Sequence, residues 1–556
     1  MPLSRKGFVW IALAFYSLLA VAIFWSTWVG PAGRWIGSPK DPQLFIWYLG
    51  WIPHQLSHGL SPLFTNYLSY PHGVNLMWNT STIFPAVVLW PVTTLLGPVV
   101  SYNLLVTGGI ALSAWCGFLA ARRFIGADLP CLLAGLIYGF SPALIAQALG
   151  HPHVSVSVFP AVALLLGHEI LVRRRLNPIA AGALAGLAAA LQLLTGEELL
   201  AVTLLIAAFG ILLLALFHRE KARASLPYAA RAALVALLVF AVLAAYPLGF
   251  QFLGPQRVWG NVQRPDIYVT DLLAFFLPSS RIHFTGNVAE NDAYVGIPLL
   301  ALFAAGLVLG WRTPRIRWVG LTVIVVAVLS LGPHLHVNGN VTSVPLPWAV
   351  VARLPLMGSA LPGRLMAIGF LGIGIVVAYA CAQAVTATRR WRVGTMIVLL
   401  AGLAAIVPPQ PYPSVAATTP AFFKPGGDVE KIPTGSVVLV TPFSSKESTD
   451  AMYWQATADY RFRMPEGDAF TPGPYLGPHP SFLQLTLDQL DAGRPVAITL
   501  EVRAMALADL KSFGVTTIVA GPSQGQAAIV EFLTEVVGAP PDDDAGVKVW
   551  WTVSSA

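Results

Sequence analysis

Charge is scarce in this chain. Asp, Glu, Lys and Arg make up 11% of its 556 residues, against about 25% in a soluble domain, and the mean hydropathy is +0.68. A soluble enzyme is thereby excluded. Cysteine is scarce too: Cys116, Cys131 and Cys381 each fall inside an apolar run, so neither a disulfide framework nor a Cys-type metal site is available. The hydrophilic C-terminal part carries no Gly-rich phosphate fingerprint and no nucleophile elbow. No small-x-small cleavage site closes the first apolar run, 8–29, which is too long for a signal-peptide core, so it is read as a retained span. No internal repeat is visible.

What the chain has instead is apolar stretches long enough to cross a bilayer, which takes about 20 residues at 1.5 Å rise. They read as 8–29, 101–121, 129–149, 154–172, 178–195, 199–217, 228–250, 294–311, 317–332, 365–386 and 393–408. The fold class is a polytopic α-helical membrane protein with about 11 transmembrane helices. Its net charge of +7 comes from short basic clusters between spans, a topology signal and not a nucleic-acid surface. The clusters are Arg5/Lys6, Arg122/Arg123, Arg173/Arg174/Arg175, Arg219/Lys221/Arg223, Arg312/Arg315/Arg317 and Arg389/Arg390/Arg392. All six share one side only if the short stretch 83–97, with Pro85 and Pro91, lies in the interface without crossing. The N-terminus is then cytoplasmic and the C-terminus extracytoplasmic.

The domain reading follows. Residues 1–408 form the membrane part, with external loops at 30–100, 250–293 and 333–364. A Pro-rich linker occupies 409–430, and 431–556 is an extracytoplasmic α/β domain. In that domain β-branched runs such as Ser436-Val437-Val438-Leu439-Val440, Thr516-Thr517-Ile518-Val519-Ala520 and Val547-Lys548-Val549-Trp550-Trp551 alternate with helical stretches near 448–459, 500–513 and 524–537.

Candidate chemistry sits at span ends. Asp41 precedes Pro42 at the start of an aromatic amphipathic stretch, where a helix N-cap and a general base are both open readings. Glu197 and Glu198 are adjacent carboxylates at the outer end of a span, costly there unless solvated, paired or functional. His151 and His153 stand two apart at a helix end. Together with Asp41 or Glu197 they could hold a divalent ion such as Mg or Mn. Arg257, Arg264, Arg353 and Arg364 are external-loop cations. Arg364, which follows Pro362-Gly363 and opens a span, suits either bidentate phosphate binding or snorkelling to lipid phosphates.

The order of these features resembles a family. A single span is followed by an acid opening an interfacial helix, then His58-Gly59-Leu60-Ser61-Pro62, a second interfacial helix with Phe84-Pro85 and Leu96-Gly97, a span, Arg-Arg, and a span with Ser141-Pro142. This is similar to the N-terminal module of the GT-C glycosyltransferases. Leu354-Pro355-Leu356, Leu361-Pro362-Gly363-Arg364 and the α/β tail resemble the bacterial YfhO-like branch of that superfamily. The resemblance implies an inverting transfer of sugar from a polyprenyl-phosphate donor to an extracytoplasmic envelope acceptor (glycan, lipid or protein) at a bacterial plasma membrane. It implies Asp41 as base. Many members carry a second acid after the third span. Here that place reads Gly150-His151-Pro152-His153, so the role passes to His151, His153 or Glu197/Glu198. A lipid or glycan transporter or flippase, and a non-catalytic envelope-assembly scaffold, are the competing readings.

Overall fold

The computed structural model describes residues 5–553 except 259, 262, 265, 287, 444–447 and 472–479. Every stretch read as a span is helical over most of its length. Among the described residues seven helices are long and apolar enough to cross a membrane, including Pro98–Ala121, Glu197–Phe217 and Pro362–Thr386. This is a membrane protein. The remaining expected spans are shorter. Pro178–Leu193, Ile297–Leu309, Pro314–Ser330 and Arg389–Ala405 have 16, 13, 17 and 17 residues, or about 20–25 Å at 1.5 Å per residue, less than the ~30 Å hydrocarbon thickness. The stretch read as interfacial is the 14-residue helix Ile83–Leu96.

Local chemistry sets the breaks. The expected span 129–149 is interrupted after Asp128–Gly139 because Pro142 cannot continue a helix. Ser141 takes an extended conformation, accepts a hydrogen bond from Leu144 N and starts Pro142–Gln147. Asn177 likewise caps Pro178–Leu193 through Ala180 N. One helix runs further than expected: Arg219–Leu253 begins nine residues before 228 and so absorbs the basic cluster Arg219/Lys221/Arg223 into its first turns.

The chain divides into two compact units. The first comprises 1–30, 103–245 and 261–414. Its centre is Leu365–Thr386, buried along most of its length, against which Asp128–Gly139, Ile297–Leu309 and Pro314–Ser330 pack. Small residues permit the close approach. A methyl group at Gly374 would sit 2.6 Å from Ala134 O, so glycine is required there. The start of the Pro-rich stretch belongs to this core, with Tyr412 donating to Ile145 O at 2.7 Å and meeting Phe24 edge-on at 4.9 Å. A hairpin, His334–Val337 with Asn340–Pro345, turns through Asn338 and Gly339, both at positive φ.

The second unit comprises 31–102, 246–260 and 415–556. It therefore joins the first external loop to the α/β region, which were expected in separate domains. The helix Asp41–Ser57 is its spine. Trp47 donates to Gln455 Oε1 at 2.7 Å, and Tyr460 Oη donates to Trp47 O at 2.7 Å. Asn75 Nδ2 bonds Phe250 O and Pro255 O, which ties in the short middle stretch. The α/β region has a four-stranded sheet in the order Val438–Thr441, Thr517–Ala520, Val547–Trp550, Asp542–Asp544. The first pair is parallel and the others antiparallel. Helices Phe482–Asp491, Leu500–Phe513 and Gln526–Val537 cover it over a core containing Leu487, Ile518 and Phe532.

Candidate active site

Six side chains from four well-separated stretches of the first unit converge. The single turn Pro362–Arg364 feeds directly into Leu365–Thr386, so Arg364 is carried by the most buried of the seven long apolar helices. Its guanidinium forks onto Glu290, with Nε to Oε2 at 2.6 Å and Nη2 to Oε1 at 2.5 Å. Nη1 bonds Glu198 Oε2 and lies 3.4 Å from His153 Nε2. A guanidinium has no acceptor, so His153 Nε2 accepts in that contact. His151 Nε2 faces Glu290 Oε1 at 3.1 Å, and Gln147 Nε2 donates to Glu290 Oε2 at 3.1 Å. The other Glu198 oxygen accepts from Leu361 N at 2.6 Å, which locks the turn before Arg364 to the start of Glu197–Phe217.

Burial makes these contacts count. The Arg364 and Glu290 side chains are 10% and 4% exposed, and that of Glu198 is 20% exposed. Burial alone would raise the Glu290 pKa. The charge of Arg364, then His151 and the hydrogen bonds, hold it instead well below the usual carboxylate range. The network thus places one guanidinium between two carboxylates, with the His153 imidazole against the guanidinium and that of His151 against Glu290.

The expected site residues sort accordingly. Arg364, Glu198, His151 and His153 come together. Glu197 opens the same helix one position before Glu198. Arg264 and Arg353 are exposed members of the first unit, Arg264 lying 3.6 Å from Asp266. Arg257 and Asp41 belong to the second unit, where Arg257 is exposed and reaches Phe252 O at 3.4 Å. Asp41 is not the N-cap. Lys40 holds that position at φ 78, and Asp41 is the first helical residue beside Pro42. That start is anchored by Thr449 Oγ1, 2.9 Å from Lys40 O and 2.6 Å from Gln43 Oε1, while Gln43 Nε2 donates to Asp450 Oδ1 at 2.5 Å. Among the described residues no three His, Cys, Asp or Glu side chains gather as a metal-ligand group. The guanidinium lies where an ion between Glu198 and Glu290 would sit.

Glu290 and Gln147 are the members that sequence reasoning did not single out. Glu290 is one of several acids in 250–293. Of its neighbours, Asp271 accepts from Leu273 N and Gly339 N, and Asp292 from Tyr294 N. These are turn-building roles. The available signal was the need of a buried Arg364 for a partner.

A family model described as a domain of unknown function, DUF6311, matches residues 11–407. No curated protein sequence matches the chain. Among solved structures the arabinofuranosyltransferase AftD from Mycobacteria is similar, with TM-score 0.60 and 16% identity over 100% of this chain and 40% of that one. The oligosaccharyltransferase of Archaeoglobus fulgidus gives TM-score 0.55 and 12% identity over 93% of this chain and 70% of that one. The archaeal AglB from the same organism, in complex with an inhibitory peptide and a dolichol-phosphate, gives TM-score 0.54 and 12% identity with the same coverage. The chain thus spans less than half the length of AftD. At these identities the likeness establishes the fold, which is that of the GT-C glycosyltransferases.

Proposed function

The chain belongs to the DUF6311 family, and from that premise and its GT-C fold we propose that it is a membrane glycosyltransferase. It moves a sugar from a polyprenyl-phosphate donor to an acceptor hydroxyl on the extracytoplasmic side, with inversion. The observation that carries this reading is the fold match over the full chain to AftD. A structure of the second similar enzyme, AglB, contains dolichol-phosphate, a ligand of the donor's chemical class.

In the proposed step Asp41 takes the proton of the acceptor hydroxyl, the oxygen bonds to the anomeric carbon, and the bond from that carbon to the phosphate oxygen breaks. Polyprenyl phosphate leaves with the electron pair. A carboxylate at the first turn of a helix whose start is tied to Thr449 and Asp450 is held for that task without needing to cap the helix. Arg257, Arg264 and Arg353, all exposed, are candidates for meeting the phosphate. Arg364 can do so only by exchanging a carboxylate. Glu198 is the exchangeable one, because it binds through one oxygen and is the more exposed, whereas Glu290 grips the fork at two points.

A deletion strain complemented with wild type or Asp41→Asn tests the reading. Mass spectrometry should show the same accumulated lipid-linked sugar and the same envelope-glycan defect in the Asp41→Asn strain as in the deletion, with the variant protein present at normal abundance. In purified enzyme the substitution should lower the transfer rate about 10²–10⁴-fold. Full restoration of the glycan by Asp41→Asn removes Asp41 as base.

A further inference from the structure

In the second unit, the C-terminal half of Asp41–Ser57 and the turn 458–463 enclose a cleft of about 590 Å³. Its wall includes Trp51, His54, Tyr67, Tyr460, Arg461 and Arg463. We propose that this cleft binds an anionic saccharide, a carboxylate- or phosphate-bearing segment of the acceptor. The inference rests on the glycosyltransferase reading above.

The wall offers donors that lack acceptors. Arg463 lies over the rings of Tyr67 and Tyr70, with 5.7 and 5.4 Å from its guanidinium carbon to their centroids. Its Nε is buried without a hydrogen-bond partner, and among the described residues no carboxylate pairs with it. Arg461 spends Nε and Nη2 on backbone oxygens of Ile432 and Glu430, at 2.7 and 2.6 Å. Trp51, 1% exposed, leaves Nε1 unpartnered on the same wall. The one acid lining the cleft, Asp459, is turned to solvent at 88% exposure and meets His54 at 3.2 Å. The Arg463 Nε–H and the Trp51 indole N–H, both without acceptors, cost free energy that a bound acceptor recovers, and Arg461 adds a second positive charge to the wall. What is missing is therefore an anion rich in oxygen.

Size and position narrow the class. The volume falls in the range of small-molecule sites, about 300–1,000 Å³, and greatly exceeds one free phosphate. Aromatic and amphipathic rings, His54, His58, Tyr67 and Phe64, line it together with the polar Asn66. Such a wall suits a sugar ring, with an apolar face to cover and hydroxyls to bond. Asp41 stands ten residues before Trp51 on one helix, about 15 Å away at 1.5 Å per residue. A saccharide anchored in the cleft whose hydroxyl reaches Asp41 is therefore an oligomer, not a single sugar.

Calorimetric titration of the purified full-length protein in detergent tests this, with oligogalacturonate, a neutral maltooligosaccharide of equal length, inorganic phosphate and anionic phosphatidylglycerol vesicles as probes. Oligogalacturonate should bind at least about tenfold tighter than the neutral oligomer or phosphate. Arg463→Gln should weaken it about tenfold or more. Asn66→Trp, which adds bulk to the cleft wall without removing either arginine, should do the same, so a folding defect in Arg463→Gln does not leave the matter open. Equal binding of the neutral oligomer, unchanged binding in Asn66→Trp, or Arg463-dependent binding of vesicles alone overturns the proposal. Asp41→Asn should bind oligogalacturonate as wild type does. Loss of transfer in that variant without any saccharide binding to wild type would sink the cleft and spare the base, whereas binding with transfer intact would do the reverse.

Discussion

Removing Arg364 is the sharpest test of the carboxylate cluster. In Arg364→Ala, Glu290 loses both bonds of the fork and stays 4% exposed, with His151 and Gln147 as its remaining side-chain donors among the contacts described. Stranding one member of a buried ion pair typically costs about 3–5 kcal/mol. Glu198 adds little to that sum, since it is 20% exposed and keeps the bond from Leu361 N. The change should lower the unfolding temperature in detergent by several degrees, followed by intrinsic tryptophan fluorescence. Glu290→Gln should be destabilising as well, because among the described residues it leaves the guanidinium with Glu198 as its one carboxylate partner. The double variant Arg364→Ala/Glu290→Gln should lose less than the sum of the single losses, by about 1–3 kcal/mol, as expected for contacting residues. Because the folded Glu290 pKa lies below the unfolded value near 4.5, this stabilisation is complete above that pH. It is lost as pH falls towards the folded value. Strict additivity of the two substitutions, or no acid dependence assignable to Glu290, would refute the cluster as drawn.

Other expectations are equally direct. Glu466 is buried with one carboxyl oxygen facing Val440 N at 3.4 Å, and burial pushes its pKa well above the usual range. Its stabilising neutral form is complete below about pH 4.5 and lost as pH rises through the folded value, so thermal scans from pH 5 to 9 should fall in wild type and flatten in Glu466→Gln. Trp47→Ala should destabilise the second unit by about 3–5 kcal/mol, read by denaturant unfolding, since it empties a fully buried site and orphans Gln455 Oε1. Arg364→Lys should raise the donor Michaelis constant if Arg364 exchanges onto phosphate, because an ammonium cannot reproduce the planar two-point contact. An unaltered constant would confine Arg364 to a structural role. A reporter active only in cytoplasm and fused after residue 556 should stay silent.

The spans were legible because continuous apolar composition over about 20 residues has few other outcomes. The tail strands were legible because β-branched runs such as Val437-Val438-Leu439-Val440 end in turn residues. The start of the Asp41 helix was misplaced by one residue, since Lys40 takes the N-cap position at positive φ with Thr449 bonded to its carbonyl, and neither feature leaves a local sequence mark. Arg364, Glu198, His151 and His153 announce themselves as ionisable groups at span ends. Glu290 does not, because its loop holds other acids of the same local appearance and only folding shows which one meets the guanidinium. The hairpin at 334–345 was overlooked although Asn338-Gly339 is a strong turn signal. The union of the first loop with the tail could not be read locally at all, as it depends on partners such as Trp47 and Gln455, 408 positions apart.

That last pairing has a consequence for how the protein is made and how it can change. The aromatic helix that follows the first span is synthesised early, yet Gln455 and Tyr460, which satisfy Trp47, are translated about 400 residues later. Until then Trp47, Tyr48 and Trp51, all buried in the finished protein, present a sticky surface that invites chaperone binding or aggregation. A stop codon anywhere between 408 and 455 would spare every span and still strand that surface. Exchange of tails between related chains should likewise succeed only when the first loop travels with them, so these two distant stretches are expected to vary together.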